Sequence, residues 1–395
     1  MQLLVLGGTK FVGRAIVEAA LREGHAVTLF NRGLTQPTGQ ALFGGSVAHI
    51  VGDRSTAGGL EALHQAGQTW DVAIDCAGYF PSEVRTSTTV LKSLCRRYVF
   101  ISSISAYGDD SSEREAAYAA AGGPPPSLDA VLAAGGVDED TTPRSIYSNG
   151  DPEQASTIDQ YGPLKAACEV ICEEEYPGAC MILRPGYIVG PWDPTGRWVT
   201  WAARVARGGE VLAFGPPSTR LQWIDVRDLA DFAVHLCAIT ATAARSDVFN
   251  VVGTGDCLDA RPSISELLEA SAAVTGSGAR VTYADNDFFL GEAAVAEAAG
   301  GPGPSYTSLP FWDPSGGGSG DERHEDCLMM AVSNRKAVRA GLRFRPIEET
   351  VRAALESASP PADGSSGGHW GMEPTVEAAL LKKWHARCSK AKARL

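Results

Sequence analysis

Residues 3–33 read LLVLGGTKFVGRAIVEAALREGHAVTLFNRG. The apolar run Leu3–Leu6 is a short strand, Gly7–Gly8 a turn, Phe11 to Glu23 a helix ended by Gly24, and Ala26–Phe30 a second strand. That order, strand then glycine turn then helix then strand, is the context a dinucleotide fingerprint requires. Gly7 and Gly8 let the backbone turn tightly and approach a pyrophosphate, and the free N–H groups of the following helix start face its negative charge. Gly13 lets the helix pack close to the strand. The pattern is GGxxxxG, with Lys10 standing where a middle glycine is usual.

Outward from this run the alternation continues. Val47–Val51, Val72–Ile74 and Tyr98–Ile101 are short apolar runs separated by helix-length segments, and Met181–Leu183 and Val248–Val252 are later ones. Continuous apolar strands with crossovers predict an α/β fold of Rossmann type, a doubly wound parallel sheet with helices on both faces. Three stretches break the rhythm. Residues 109–156 read as an insertion, a lid or flexible loop. Residues 298–326 are rich in Gly, Ser and Pro, and residues 359–373 read as a linker to a last amphipathic helix, Thr375 to Arg387.

The chain has 395 residues, 44% hydrophobic and 21% charged, the composition of a globular protein with a sizeable core. Its net charge of −13 speaks against a nucleic-acid partner, which needs clustered Lys and Arg. No apolar stretch approaches the roughly 20 residues of a membrane span, and Leu3–Leu6 belongs to the glycine motif rather than to a leader. Nine scattered cysteines suggest reduced thiols and a cytoplasmic setting. Cys168 and Cys172 lie one helical turn apart without a completing pair, so they read as packing residues, and no metal is expected.

At the end of the second strand stand Asn31 and Arg32, where an acidic residue would bond the ribose 2′-hydroxyl of NAD. Arg32 can grip a 2′-phosphate with charged hydrogen bonds and Lys10 can add a second positive charge, so NADP is expected ahead of NAD. Asp53 is a candidate acceptor for the adenine amino group or a structural turn aspartate.

The segment VFISSISAYG places Ser102, Ser103 and Ser105 at the carboxyl end of a buried strand, where open α/β sheets bind ligands. DQYGPLKAACEVICEE begins a helix in which Tyr161 and Lys165 lie four apart and share a face. A phenol of pKa about 10 is a poor base at neutrality. A neighbouring ammonium and a cationic nicotinamide ring favour its phenolate. Tyr161 can then carry a proton to or from a substrate oxygen while hydride moves, with Lys165 on the nicotinamide ribose and Ser103 polarising that oxygen.

These parts together resemble an extended, atypical short-chain dehydrogenase/reductase of the NAD(P)-dependent epimerase/dehydratase group. The resemblance runs through GGTKFVG, GHAVTLFNRG, DVAIDCAGY, YVFISSISAYG, YGPLKAACE, LRPGYIVGPWDPT, LQWIDVRDLA, VFNVVG and AGLRFRPIEETV. It implies that Asp75 to Gly78, including Cys76 and Ala77, line the cofactor with Thr9, Phe11 and Arg54, and that Pro185, Gly186 and Ile188 cover the nicotinamide. Tyr79, Ser105, Trp192, Arg220 and Trp223 would face the substrate, or pack in the core or rim. Residues 1–186 and 222–253 would form the dinucleotide-binding domain, 187–221 and 254–358 a smaller discontinuous substrate-binding region, and 359–395 the linker and final helix. The leading functional reading is an NADP-dependent oxidoreductase acting on a carbonyl or secondary alcohol of a small molecule. Its alternatives are a sugar-nucleotide epimerase or dehydratase with tightly held NAD(P), and a non-catalytic, RNA-binding relative. A homodimer is also open, since the family often pairs through helices flanking the active site.

Overall fold

The computed structural model describes residues 1–35, 37–240, 246–253, 260–298, 303–305, 308–312, 330–358 and 371–392. Most of the Gly/Ser/Pro-rich stretch 298–326, the linker 359–370, Cys257 and Cys327 lie outside the described residues. The strands are β1 (Gln2–Leu6), β2 (Ala26–Asn31), β3 (Ala48–Val51), β4 (Val72–Asp75), β5 (Tyr98–Ile101), β6 (Cys180–Pro185), β7 (Tyr187–Val189), β8 (Glu210–Phe214), β9 (Trp223–Asp225), β10 (Asp247–Val251) and β11 (Arg280–Ala284). The helices are α1 (Phe11–Arg22), α2 (Gly39–Leu42), α3 (Ala57–Gln65), α4 (Pro81–Leu91), α5 (Ser111–Ala120), α6 (Leu128–Ala134), α7 (Tyr161–Glu175), α8 (Arg197–Ala206), α9 (Val226–Thr240), α10 (Ile264–Thr275), α11 (Asn286–Ala298), α12 (Arg335–Arg339), α13 (Ile347–Ser357) and α14 (Pro374–Lys392).

Seven strands form one sheet in the order β10-β6-β5-β4-β1-β2-β3, and every pairing in it is parallel. The expected doubly wound sheet is therefore present. The order reverses at β1, so the carboxyl ends of β1 and β4 flank the switch point where such sheets take ligands. Strands β1, β4, β5 and β6 are buried almost throughout because both faces are covered, which is why their sequences run apolar instead of alternating. One core cluster joins Leu4, Leu6, Phe30, Tyr98, Phe100 and Ile182 with Cys168 and Cys172, which are packing residues.

Two compact units divide the chain. The first comprises Met1–Ile188, Ile224–Leu258 and Val332–Phe344; the second comprises Val189–Trp223, Asp259–Ala331 and Arg345–Leu395. Segment 332–344 belongs to the first because Asn334 Nδ2 donates to Val252 O at 2.8 Å and Ser333 N to Val137 O at 2.8 Å. Asn250, fully buried on β10, accepts from the Tyr107 hydroxyl at 2.9 Å and donates to Ser333 O at 3.1 Å.

The insertion is not a flexible loop. It folds as α5 and α6, whose starts are capped by Asp110, accepting from Glu113 N, and Ser127, accepting from Ala130 N. These side chains satisfy backbone donors that a helix start leaves unpaired. Arg114 anchors α5 with its side chain buried, and Arg335 Nη2 donates to Ala134 O at 2.7 Å below α6.

In the second unit β8 and β11 pair in parallel, and α8, α10 and α13 pack together. The final helix α14 is fastened by Glu377, a buried carboxylate that accepts from Arg204 Nε at 2.5 Å and Leu212 N at 3.0 Å. Truncating one partner of a buried ion pair leaves the other charge uncompensated and costs about 3–5 kcal/mol. Glu377→Ala is therefore expected to release α14 while the parallel sheet stays folded. Limited proteolysis should show new cleavage within residues 374–392, and an unchanged digestion pattern would refute this anchoring.

Candidate active site

The glycine turn after β1 has the shape expected of it. Gly7 and Gly8 lie at φ +102° and +87°, and a Cβ on Gly13 would stand 2.6 Å from the Gly8 backbone nitrogen. Only hydrogen fits there, so the first turn of α1 presses against the loop and its backbone N–H groups face the turn. Lys10 heads α1, is exposed, and offers no side-chain cap, which leaves first-turn N–H groups for an anion. Where Lys10 replaces the usual glycine, the next residue, Phe11, takes the strained φ of +33°. Thr9 is half-buried beside them.

Asn31, expected to touch cofactor, braces this turn. Its Nδ2 donates to Gly7 O at 2.9 Å, its Oδ1 accepts from Gly33 N at 2.9 Å, and His49 Nε2 lies 3.0 Å from the same oxygen. Arg32, next along, is exposed. Asp53 accepts from Ser55 N at 3.0 Å and Ser55 Oγ at 2.7 Å, bonds that lower its pKa.

Arg54 does not reach out as a free cation. Its guanidinium is bidentate on Asp75, at 2.6 and 2.8 Å, and Asp75 also accepts from Tyr98 OH at 2.6 Å and Ala77 N at 2.9 Å. Asp75 is fully buried; the guanidinium and these donors outweigh desolvation and hold its pKa low. The arrangement fixes the turn Cys76–Gly78, in which Cys76 Cβ lies 3.7 Å from where a Cβ on Gly7 would be. The two loops that would line a dinucleotide, after β1 and after β4, thus touch.

Ser103, Tyr161 and Lys165 come together in the first unit. Ser103 follows β5 and its Oγ accepts from Ser105 N at 3.1 Å, opening a 3-10 turn, Ile104–Tyr107. Tyr161 is the first residue of α7, and its phenol shares a hydrogen bond with the Ser103 hydroxyl. Gly162 makes this approach possible: a Cβ there would lie 2.1 Å from Ser105 O. Lys165, buried one turn later, donates to Gly78 O at 2.8 Å and Ile101 O at 2.7 Å, and its ammonium lies 4.2 Å over the Phe100 ring. An ammonium has three protons, so one remains for a ribose hydroxyl.

The expected lowering of the Tyr161 pKa is not present in the protein alone. Burial pushes it up to about 12, and the neighbouring Tyr79 and Asp109 act in the same direction, while the Ser103 hydrogen bond opposes them. Burial likewise lowers the pKa of Lys165. The Lys165 ammonium is spent on two carbonyls and does not overcome the desolvation of the phenol.

Sequence reading missed two groups here. Asp109 accepts from Ser105 and from Gly162 N, tying the serine turn to the start of α7. Glu169, fully buried, accepts from Ser102 Oγ at 2.5 Å, Arg144 Nε at 2.7 Å, and Arg184 Nε and Nη2 at 2.9 and 2.6 Å. Its position, four after Lys165 and eight after Tyr161, is a helical-face signal that was readable; Asp109 had none.

Of the remaining candidates, Pro185 ends β6, Gly186 N donates to Val251 O at 3.3 Å, and Ile188 is half-buried. Tyr79 is 46% exposed with its ring centre 5.6 Å from Lys165 Nζ, so it borders the triad. In the second unit Trp192 takes φ +62° and donates its N–H to Ser357 Oγ at 3.1 Å. Arg220 donates to Arg261 O at 2.8 Å and lies 3.5 Å from Glu266. Trp223 does not face a substrate: it is 1% exposed and packs on Trp198 with ring centres 4.4 Å apart. Core packing wins there because the large ring stabilises most when wholly removed from water.

A sequence profile of the NAD dependent epimerase/dehydratase family matches residues 132–252. Over 115 residues the chain is 30% identical to the chloroplast stem-loop binding protein of 41 kDa b of Arabidopsis thaliana, a match covering 27% of this chain and 30% of that protein's length. Among solved structures it is similar to the UDP-glucose 4-epimerase of Thermus thermophilus in complex with NAD (20% identity, TM-score 0.51, 90% of this chain and 98% of that one). It is similar also to the UDP-Glc/GlcNAc 4-epimerase of Campylobacter jejuni (14%, 0.57, 90% and 98%). A third is the dTDP-glucose 4,6-dehydratase of Bacillus anthracis in complex with NAD (14%, 0.54, 93% and 98%). At these identities the structures share the fold, and the profile places the sequence resemblance on the segment that carries Tyr161 and Lys165. No described helix is long and apolar enough to cross a membrane.

Two outcomes follow from this geometry. Glu169→Gln leaves buried Arg184 without its carboxylate, Arg144 keeping Glu173, and should cost about 3–5 kcal/mol in urea unfolding. The Glu169 pKa is depressed by Arg184 against the pull of desolvation. Its stabilisation is therefore complete above the unfolded carboxylate pKa of about 4.3 and is lost as pH falls through the lower folded value. The variant should show a flatter acid limb, and equal stability of the two proteins at neutral pH would refute the role. Second, a difference ultraviolet titration of wild type against Tyr161→Phe should show no tyrosinate from Tyr161 at pH 10; ionisation there would contradict the burial.

Proposed function

We propose that this chain is a nicotinamide-dinucleotide-dependent enzyme of the epimerase/dehydratase type, acting on a hydroxyl-bearing carbon of a nucleotide-linked sugar. The observation that carries this reading is the Ser103–Tyr161 hydroxyl pair at the end of β5, with Lys165 one turn along the same helix. The glycine turn supports the dinucleotide, since the absence of a Cβ at Gly13 lets the start of α1 pack onto Gly8, which suits close approach of a pyrophosphate to the turn and the helix start. When bound, the dinucleotide supplies a hydride acceptor and donor and, oxidised, a positive ring.

The chain's own residues would do the rest. Ser103 and Tyr161 hold the substrate oxygen between two hydroxyls, and Tyr161 takes its proton when a nearby positive charge draws the phenol towards phenolate. Lys165 keeps the loop after β4 and the end of β5 in register and offers its third proton to a ribose hydroxyl. Because Tyr161 alone stays protonated, proton transfer is tied to the presence of that positive charge.

The similarity to two sugar-nucleotide epimerases and a dehydratase favours this reading over the net reduction of a small carbonyl compound. The partner would then be a small molecule. A second reading, RNA stem-loop binding, is favoured by the 30% identity over 115 residues to the Arabidopsis stem-loop binding protein and opposed by the net charge of −13.

The test begins with mass spectrometry of nucleotide released from the purified protein, followed by incubation with UDP- and dTDP-linked hexoses. Interconversion without net cofactor reduction is expected. Tyr161→Phe should lower kcat by about 10²–10⁴-fold and leave nucleotide affinity intact. Steady oxidation of NADPH by simple carbonyls would favour the reductase, a salt-sensitive RNA shift without dinucleotide binding would favour the second reading, and full activity of Tyr161→Phe would remove the proton carrier.

A further inference from the structure

Helix α7 carries Tyr161 as its first residue, yet its start has no cap of its own. A helix leaves its first N–H groups unpaired, and a side-chain oxygen just before it commonly accepts one. Gln160 stands in that place and makes no such bond. Its amide is turned to Ser148 instead, accepting from Ser148 N at 2.9 Å and donating to Ser148 Oγ at 2.8 Å.

The acceptor comes from another segment. Asp109 accepts from Gly162 N and from the Ser105 hydroxyl. Its Oδ2 lies 3.4 Å from the point where a Cβ on Gly162 would stand, and Ser105 O lies 2.1 Å from the same point. Asp109 is exposed, so this cap is laid on from the surface. It is braced from behind. Gly108 takes φ +105° and its N–H donates to Ser105 O at 2.9 Å, so the chain reverses directly after the 3-10 turn. Asp109 N donates to Glu113 Oε2 at 2.8 Å, and Asp110 caps α5 by accepting from Glu113 N at 2.9 Å. One residue thus joins the turn that carries Ser103, the first turn of α7 and the first helix of the insertion.

We propose that Asp109 is a positioning residue for proton transfer, a cap delivered from outside α7 that holds the Ser103 and Tyr161 hydroxyls in register. A carboxylate beside first-turn N–H groups is favoured by the helix dipole. Tyr161 adjoins Gly162, and Ser103 receives the N–H of Ser105, so a slip between Gly162 and Ser105 opens the Ser103–Tyr161 bond directly. The charge has a second consequence. Tyr161 is faced by Tyr79 from the loop after β4, Ser103 from the end of β5 and Cys168 from its own helix, with Lys165 one turn along. Among these groups Asp109 brings a negative charge, which works against the phenolate. Around Asp109 itself stand Asp110, Glu113 and Arg114.

This inference rests on the proton-carrier role given to Tyr161 above, and its first test needs no turnover. In full-length protein labelled with ¹³C at the tyrosine phenol carbon, loss of one resonance in Tyr161→Phe identifies Tyr161. Ser103→Ala then shows where that resonance lies without the Ser103 bond. Asp109→Ala should move it towards that position, whereas Asp109→Asn, which keeps an acceptor for Gly162 N, should leave it near wild type. With the charge gone, titration of Tyr161 in Asp109→Asn should begin at lower pH than in wild type. Melting temperatures show that each variant is folded. In turnover of nucleotide-linked sugars, Asp109→Ala should lower kcat by about 10²-fold at nearly unchanged KM, the cost of about 1 Å of misplacement. Asp109→Asn should restore most of kcat and move its rise with pH to lower pH. A resonance unmoved by Asp109→Ala in folded protein overturns the inference, as does an Asn variant that behaves like the Ala variant. An unshifted onset of titration in Asp109→Asn overturns the placement of the carboxylate beside the pair, and needs no Ala variant. Absence of nucleotide-sugar turnover in wild type overturns the proposed function and leaves the spectroscopic result standing.

Discussion

A single buried carboxylate holds the chemical end of the first unit together. Glu169 sits in the middle of α7 with no solvent exposure and gathers Ser102 from the end of β5, Arg184 from β6 and Arg144 from the insertion. A carboxylate out of water costs several kcal/mol unless every lone pair is used, and here four hydrogen bonds use them. Because Ser102 adjoins Ser103, and Lys165 and Tyr161 lie one and two turns back along α7, this cost is met at the point that sets the triad's geometry. An apolar residue at 169 could fill the space, but nothing would then fix the register between strand end and helix. Arg184 extends the network, stacking 4.4 Å from the ring of Tyr107, whose hydroxyl reaches Asn250. The insertion is therefore part of the scaffold through Arg144, not an appendage to it.

Lys165 performs the matching task on the other side. Its two carbonyl bonds join the loop after β4 to the end of β5, two segments that share one short ladder. Phe100 beneath the ammonium offers the face of its ring, which suits a cation deprived of water. A charge so occupied cannot also dominate the ionisation of Tyr161, and burial wins at the phenol. A neutral, hydrogen-bonded phenol is the cheaper state in these surroundings.

The fold was legible because its signals are local and repeated. The central strands β1, β4 and β5 are short, mostly apolar runs, and the glycine turn, the serine-bearing strand end and the Tyr–Lys spacing fall where the sheet brings them together. What was not legible depends on pairing across distance. Nothing in Gly52–Asp53–Arg54 shows that the arginine will close on Asp75, and nothing in Asn31 shows that its amide will be consumed by Gly7 and Gly33. Trp223 was ambiguous in kind, since a large aromatic ring serves core and binding surface equally well until its neighbour Trp198 is known. The insertion erred differently: Asp110 three residues before Glu113, and Ser127 before Leu128, were helix-start signals outweighed by the surrounding Ala, Gly and Pro.

The same distinction governs the charges at the adenosine end. Sequence presents Arg32 with no acidic residue beside it at the end of β2, and a cation in that place argues for a phosphate. Folding changes the sum, because a parallel sheet sends every strand's carboxyl end to one edge. It brings Asp53 and Asp75 to an edge that holds Arg32 and Arg54, and the bidentate pair between Arg54 and Asp75 removes one of each sign. A specificity rule that reads one strand end assumes the others are neutral. In this chain they are not, and the charge at that edge is what pairing leaves, not the residue that comes first in sequence.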